Sequence, residues 1–136
     1  MAVVAELLRK EADMSLSFGD YTLDKKSKVE DFEHAGDLLK VKTFNEITRL
    51  EKNGIFVYES VPGTAVNHFT ETSDGMVFTV EGADDAQITV GLAEDEEYKV
   101  VVGGEESGVM KTNLGGKLSI SAELAGAGEV KIEIKK

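Results

Sequence analysis

Hydrophobic and polar residues alternate along much of the second half of the chain. Apolar side chains occupy every second position in four segments: Ile88, Val90 and Leu92; Tyr98, Val100 and Val102; Leu118, Ile120, Ala122 and Leu124; and Val130, Ile132 and Ile134. A period of two is typical of β-strands that bury one face and hydrate the other. Glycine and acidic residues separate the segments, as in hairpin turns. The pattern predicts antiparallel sheet.

The densest β-branched and aromatic run is Ile55–Tyr58, which precedes the single proline, Pro62. Simple alternation puts Phe56 and Tyr58 on one face and Ile55 and Val57 on the other, so we expect a strand covered on both faces. Asn53-Gly54 before it predicts a tight hairpin turn. One packed sheet covers one face, and the other needs residues 1–18 or a second subunit.

Further strands are predicted on both sides of this run. Asp74-Gly75 indicates a hairpin between strands at Asn67–Thr72 and Met76–Gly82. Upstream, Leu38–Phe44 and Ile47–Leu50 are strand candidates. The polar stretch Gly19–Glu33 predicts a turn and a hydrated loop, anchored in the core by Val29 and Phe32. Residues 103–108 predict a loop before a short return strand at Val109–Thr112.

The first thirteen residues allow two interpretations. Val3, Val4, Leu7 and Leu8 have helical spacing. The alternation of Ser15-Leu16-Ser17-Phe18 immediately afterwards favours a hairpin instead, with Val3, Ala5 and Leu7 facing Leu16 and Phe18. We expect the hairpin, and the helix stays open as the alternative.

Together these segments predict one mainly β domain over residues 1–136, since no linker rich in proline, glycine or serine divides the chain. Short strands with tight turns favour an antiparallel β-sandwich, jelly-roll or immunoglobulin-like, with or without one short N-terminal helix.

The composition limits the classes of partner, the chemistry and the location expected for this protein. The chain has 15 basic and 26 acidic residues, a net charge of −11, which disfavours nucleic acid and anionic membranes as partners. It has no cysteine, which excludes thiol catalysis and disulfides. Neither a signal peptide nor a membrane-length apolar run is visible, so a cytoplasmic location is the default expectation.

Catalytic motifs are missing from the sequence. His34 and His68 are isolated and form no metal-ligand spacing, and Ser60 lies in no nucleophile-elbow motif. Gly103-Gly104 and Gly115-Gly116 precede strands and are interpreted as turns, since a phosphate loop opens a helix. We therefore predict no catalytic, cofactor or metal site.

Acidic clusters and aromatic residues offer two weaker possibilities. The clusters Glu30-Asp31-Glu33, Asp84-Asp85, Glu94–Glu97 and Glu105-Glu106 could supply oxygen ligands to Ca²⁺, but none follows the calcium-loop pattern, so solvated loops are expected. Sugar-binding sandwiches use exposed aromatic platforms, and only Tyr21 and Tyr58 are candidates for that role here, although we expect each to pack in the core or at its rim.

Three segments, SLSFGDYTLD, KVKTFNEITRLEKNGIFVYESVPGTAV and VFTVEG, resemble a group of small bacterial proteins of unestablished role, some of which carry an endosialidase label. Sialidases of that broad class bind the sialic acid carboxylate through an arginine cluster. This chain contains only Arg9 and Arg49, so we expect no sialidase activity.

The sequence therefore predicts a non-catalytic binding or assembly module, in which a homo-oligomer or a protein ligand supplies the partner. A carbohydrate-binding accessory domain is the alternative.

Overall fold

The computed structural model describes residues 3, 4 and 6–136. Over this range the chain forms thirteen β-strands and no helix. The strands are β1 (Leu8–Lys10), β2 (Leu16–Phe18), β3 (Ser27–His34), β4 (Asp37–Thr43), β5 (Thr48–Lys52), β6 (Ile55–Val61), β7 (Ala65–Thr72), β8 (Gly75–Glu81), β9 (Ala86–Gly91), β10 (Glu97–Val102), β11 (Glu105–Lys111), β12 (Lys117–Ala122) and β13 (Val130–Lys135).

The strands form two antiparallel sheets that pack face to face. One sheet has seven strands in the order β1-β2-β7-β8-β13-β10-β11, and the other has six in the order β12-β9-β6-β5-β4-β3. Strands β3 to β6 make a continuous meander, whereas β13 is inserted between β8 and β10. The predicted antiparallel β-sandwich is confirmed.

An aromatic cluster joins the two sheets. Tyr58 of the six-stranded sheet contacts Phe18, Phe69 and Phe78 of the other edge-on, with ring centroids 5.3, 6.5 and 5.6 Å away respectively. All four side chains are buried. Edge-to-face pairs of this kind contribute about 0.5–1.5 kcal/mol each beyond the burial of their area.

Hydroxyl groups fill the core where the chain crosses between the sheets after β6. The Thr64 hydroxyl lies 2.8 Å from both Tyr58 Oη and Ser60 Oγ, and its carbonyl accepts a 2.7 Å hydrogen bond from the Thr48 hydroxyl. Thr43 Oγ1 lies 2.8 Å from Thr48 Oγ1. Every one of these residues is buried, and burial raises the pKa of Tyr58. The network satisfies polar groups that would otherwise destabilise the core.

A β-bulge in β6 changes which of its side chains face the core, compared with simple alternation. The register with β5 shifts between Leu50↔Tyr58 and Glu51↔Phe56, which leaves Val57 as the extra residue. Val57 and Tyr58 therefore both enter the core, and Phe56 turns to the outer face. In the single chain Ile55 is 69% exposed, so the described residues of this chain do not cover the second face of the strand, and cover by a second subunit stays a prediction.

The N-terminal hairpin is confirmed and the helical alternative is not. β1 pairs with β2 so that Leu8 is opposite Phe18 and Lys10 is opposite Leu16. The residues that pair with β2 do not include the predicted Val3 and Leu7, because Leu7 has a positive φ of 71° and the strand starts after it. Ala5 lies outside the described residues.

Two predicted loops are strands. The chain pairs with β4 throughout most of Ser27–His34, where Val29 and Phe32 pack against the core as expected. Likewise β11 begins at Glu105, so the turn is confined to Gly103-Gly104. Both strands lie at sheet edges. In β3 half of the residues are exposed and the alternation changes phase at the bulge, and in β11 every residue except Met110 is exposed, so neither strand has a sustained alternation.

In the described part of the chain no helix has the length and apolar character needed to cross a membrane.

Candidate functional site

A cleft of about 310 Å³ opens between the two sheets at one end of the sandwich. Its walls come from the β1–β2 turn and β7 on one side and from the β3–β4 turn, β4, β5 and β6 on the other. Its apolar lining is Met14, Leu16, Leu39, Leu50, Val57 and Phe69, and its polar lining is Asp13, Ser15, His34, Asp37, Lys52, Thr70 and Glu71, with Ala35 at the turn. The volume is at the lower end of the range for small-molecule sites, which combine apolar walls with a few polar groups.

His34 supplies the one unpartnered polar atom among buried side-chain atoms of the described residues. Its Nδ1 is buried and forms no hydrogen bond, although the residue as a whole is half-buried. The ring is placed by the end of β3, where Ala35 and Gly36 adopt positive φ and reverse the chain. A buried polar atom without a partner is unfavourable unless a ligand or water satisfies it.

Charged groups surround the cleft mouth. Lys52 Nζ, from one sheet, lies 2.9 Å from Glu71 Oε1 of the other. Asp37 accepts a 2.8 Å hydrogen bond from the Asn53 side-chain amide. Two of the three rim carboxylates, on Asp13 and Asp37, have no lysine or arginine partner in the described part of the chain. The rim is therefore acidic.

Ser15, Asp13 and His68 come together beside this mouth. Ser15 Oγ donates to Asp13 Oδ1 and lies 3.2 Å from His68 Nδ1, while Asp13 Oδ2 is 3.7 Å from the same nitrogen. A nucleophile relay needs the serine and the acid on opposite ring nitrogens. Here both approach Nδ1, so the arrangement does not match that relay. The hydrogen bonds from Ser15 and the nearby His68 hold the pKa of Asp13 below its ordinary value.

Other residues singled out in the sequence lie apart from the cleft. Tyr58 is completely buried, as expected for core packing, so it does not form an exposed stacking platform. Tyr21 is half-buried, and burial together with nearby Glu81 raises its pKa. Ser60 is buried in the hydroxyl network.

The two arginines do not converge. Arg9 pairs with Glu6 and Glu11 beside the edge of the seven-stranded sheet, whereas Arg49 pairs with Glu51 and Glu59 on the six-stranded sheet. The geometry lacks an arginine cluster for a carboxylate substrate.

The acidic clusters also stay dispersed. Over the described ranges, no group of three or more histidine, aspartate or glutamate side chains has a geometry that could hold a metal ion. The cleft, in contrast, was missed at the sequence level because its residues come from six separate elements and share no spacing.

Comparison with known proteins adds no relative: no protein-family model, no curated protein and no solved structure matches this chain.

Proposed function

We propose that the protein is a non-catalytic binding module whose cleft takes a small ligand with an apolar body and a protonated amine. The observation that carries the proposal is the cleft itself, with its apolar walls and acidic rim.

The apolar walls and the rim favour different parts of such a ligand. Leu39, Leu50 and Phe69 are buried and contribute no hydrogen-bonding side-chain groups, so they suit a hydrocarbon or aromatic body. Asp13 and Asp37 attract a cation at the mouth, since Lys52 is already paired with Glu71.

Titration followed by ¹H–¹⁵N correlation spectra tests this proposal. Phenethylamine and hexylamine should shift the amide signals of His34, Leu39 and Phe69, while 3-phenylpropionate, with the opposite charge, should not. Asp37→Asn should weaken amine binding several-fold, and the exposed Glu97→Gln, which removes the same charge outside the cleft, should not. Equal binding of amine and carboxylate would contradict the acidic-rim argument, and no shift with any probe would contradict the proposal.

A carbohydrate-binding role has less support. Tyr58 is buried, and the Phe56 ring on the outer face has Arg49 Cζ and Lys117 Nζ at 5.3 and 4.8 Å from its centroid. A homo-oligomer and a cytoplasmic location both stay predictions from the sequence.

A further inference from the structure

β11 and β12 are edge strands of the two sheets and lie on the same side of the sandwich. The larger sheet ends in β11, in which every residue except Met110 is exposed, whereas the inward side chains of β12 are buried. A groove of about 360 Å³ runs between them, lined by Glu105, Glu106 and Ser107 from β11 and by Ser121 and Glu123 from β12 and its end.

Three of the four edge strands carry features that oppose pairing with another chain. β1 has three residues. β3 is bulged between Val29 and Phe32, where Asp31 has a positive φ, and β11 is bulged opposite Val100 and Val101, beside Gly108 with a φ of 93°. β12 pairs with β9 over all six residues without a register shift. Short length and bulges protect sheet edges, and β12 has neither.

The hydrogen-bonding pattern between β12 and β9 determines which backbone groups of β12 are unpaired at the sheet edge. Leu92 N donates to Gly116 O at 2.7 Å, which makes this pair a hydrogen-bonded one. Bonded pairs recur at every second residue in an antiparallel ladder, so Leu118, Ile120 and Ala122 bond to β9. Ser119 and Ser121 then direct their N–H and C=O groups away from it. Lys117 has no free backbone group at this edge, because its N–H donates to Asn113 Oδ1 and its C=O accepts a hydrogen bond from the Asn113 N–H.

The charge of the groove indicates the class of occupant. Glu106 pairs with Lys99 at 2.8 Å, while no ion pair forms at Glu105 or Glu123 within the described residues. A second copy of this chain would bring a net charge of −11 to the same place. Like charges disfavour that pairing, and a basic segment is favoured.

We propose that the free edge of β12 accepts an extended basic segment of another protein, which adds to the six-stranded sheet beside the groove that β11 and β12 line. Main-chain hydrogen bonds to Ser119 and Ser121 hold the segment, and lysine or arginine side chains meet Glu105 and Glu123. This is strand addition, in which backbone bonds supply affinity and side chains supply selectivity. The site is separate from the cleft and does not rest on the amine-binding proposal.

The test uses a seven-residue peptide with alternating lysine and valine, followed by fluorescence anisotropy at low salt and by the amide signals of Ser119 and Ser121. We expect binding with shifts of both signals. Ser121→Pro removes one outward N–H without touching the β9 ladder and should weaken binding about tenfold, the value of one lost hydrogen bond. Ser121→Ala keeps that N–H and should bind as the wild type does.

Peptide controls separate backbone pairing from simple charge attraction. The same peptide with N-methylated valines keeps its charge and should lose most of its affinity, and a glutamate–valine peptide should not bind. If Ser121→Pro fails to fold, Ser119→Pro provides the same test. Binding that is unchanged by N-methylation, an absence of binding, or dimerisation of the protein through the Ser119 and Ser121 amides would each overturn the proposal.

Discussion

Gly63 lies at the crossing between the sheets, against the backbone of the β4–β5 connection. Its N–H donates to Asn45 O at 3.1 Å, and a Cβ built on it would stand 2.0 Å from Phe44 O. The neighbouring atom belongs to the backbone, so rotation of a side chain cannot relieve the contact. Only a residue without a Cβ fits.

Gly63→Ala should therefore lower the free energy of unfolding by about 1–3 kcal/mol, the range for overpacking in a dense core. Urea denaturation followed by circular dichroism measures this. Gly115→Ala is the matched control, since Gly115 lies in a loop and its nearest contact is the flexible Asn113 side chain at 3.4 Å. Equal stability of both variants would show that the backbones at Gly63 and Phe44 can separate enough to accommodate a Cβ.

Glu11 gives the N-terminal hairpin a pH dependence. Its carboxylate accepts a hydrogen bond from the buried Ser17 hydroxyl and one from Arg9 Nη2 at 3.0 Å. The Ser17 bond, followed by the Arg9 bond, lowers the pKa of Glu11 below its ordinary value of 4.5. A lowered pKa stabilises the folded state above the ordinary pKa, and this contribution is lost as the pH falls through the folded-state value.

Glu11→Gln should thus destabilise the protein by about 1 kcal/mol at pH 7, as expected for a lost charged hydrogen bond, and by less at pH 3. Chemical denaturation at both pH values measures the difference. In a Ser17→Ala background the pH dependence of that difference should shrink, because the main cause of the pKa shift is gone. A difference that grows on acidification would contradict the assignment.

At the scale of the elements, the bulge in β6 decides which side chains the sandwich buries. Phe56→Asp should leave the fold intact, since the new carboxylate would lie near Arg49 and Lys117 on the outer face. Val57→Asp should unfold the domain, because an unpaired charge in the core costs several kcal/mol. Thermal melts distinguish the two variants. If β6 instead alternated strictly without a bulge, Phe56→Asp would be the variant that unfolds, and that result would contradict the bulge.

Light scattering on the wild type and on Phe56→Asp tests assembly through this outer face. If a second subunit covers Phe56, the wild type should have the mass of an oligomer and Phe56→Asp that of a monomer. A monomeric wild type would contradict the homo-oligomer predicted from this strand.

How far the elements could be predicted depends on how each strand is buried. Strands such as β12, with Leu118 and Ile120 inside and Ser119 and Ser121 outside, show a period of two and were predicted. In β3 the alternation of exposed and partly buried residues changes phase at the bulge, and the first half of β11 is exposed throughout, so both were predicted as loops. The bulge at Val57 was missed because one added residue reverses the facing without changing composition. The cleft was missed because it depends on how distant turns meet.

At the scale of the whole molecule, acidic charge outweighs the surface ion pairs. The net charge is −11, and the ion pairs lie at partly or largely exposed side chains, where each contributes about 0–1 kcal/mol. Self-repulsion of the compact state is then the larger salt-dependent effect.

Raising sodium chloride from about 10 mM to about 100 mM shortens the Debye length from about 30 to about 10 Å and should raise the melting temperature. The triple variant Glu94→Gln, Glu96→Gln and Glu97→Gln, at exposed positions before and at the start of β10, should show a smaller rise. Differential scanning calorimetry measures both. A melting temperature that falls with salt would show that the ion pairs dominate.

The insertion of β13 between β8 and β10 has a consequence for synthesis on the ribosome. β10 and β11 are made earlier but join the seven-stranded sheet through β13, which pairs with β8 on one side and β10 on the other. Until Val130–Lys135 has left the exit tunnel, the nascent chain carries a sheet in two separated pieces, each with an open edge. Completion of this domain is therefore expected after translation of its last strand, and a nascent chain stalled before residue 130 should be sensitive to protease throughout the β10–β11 hairpin.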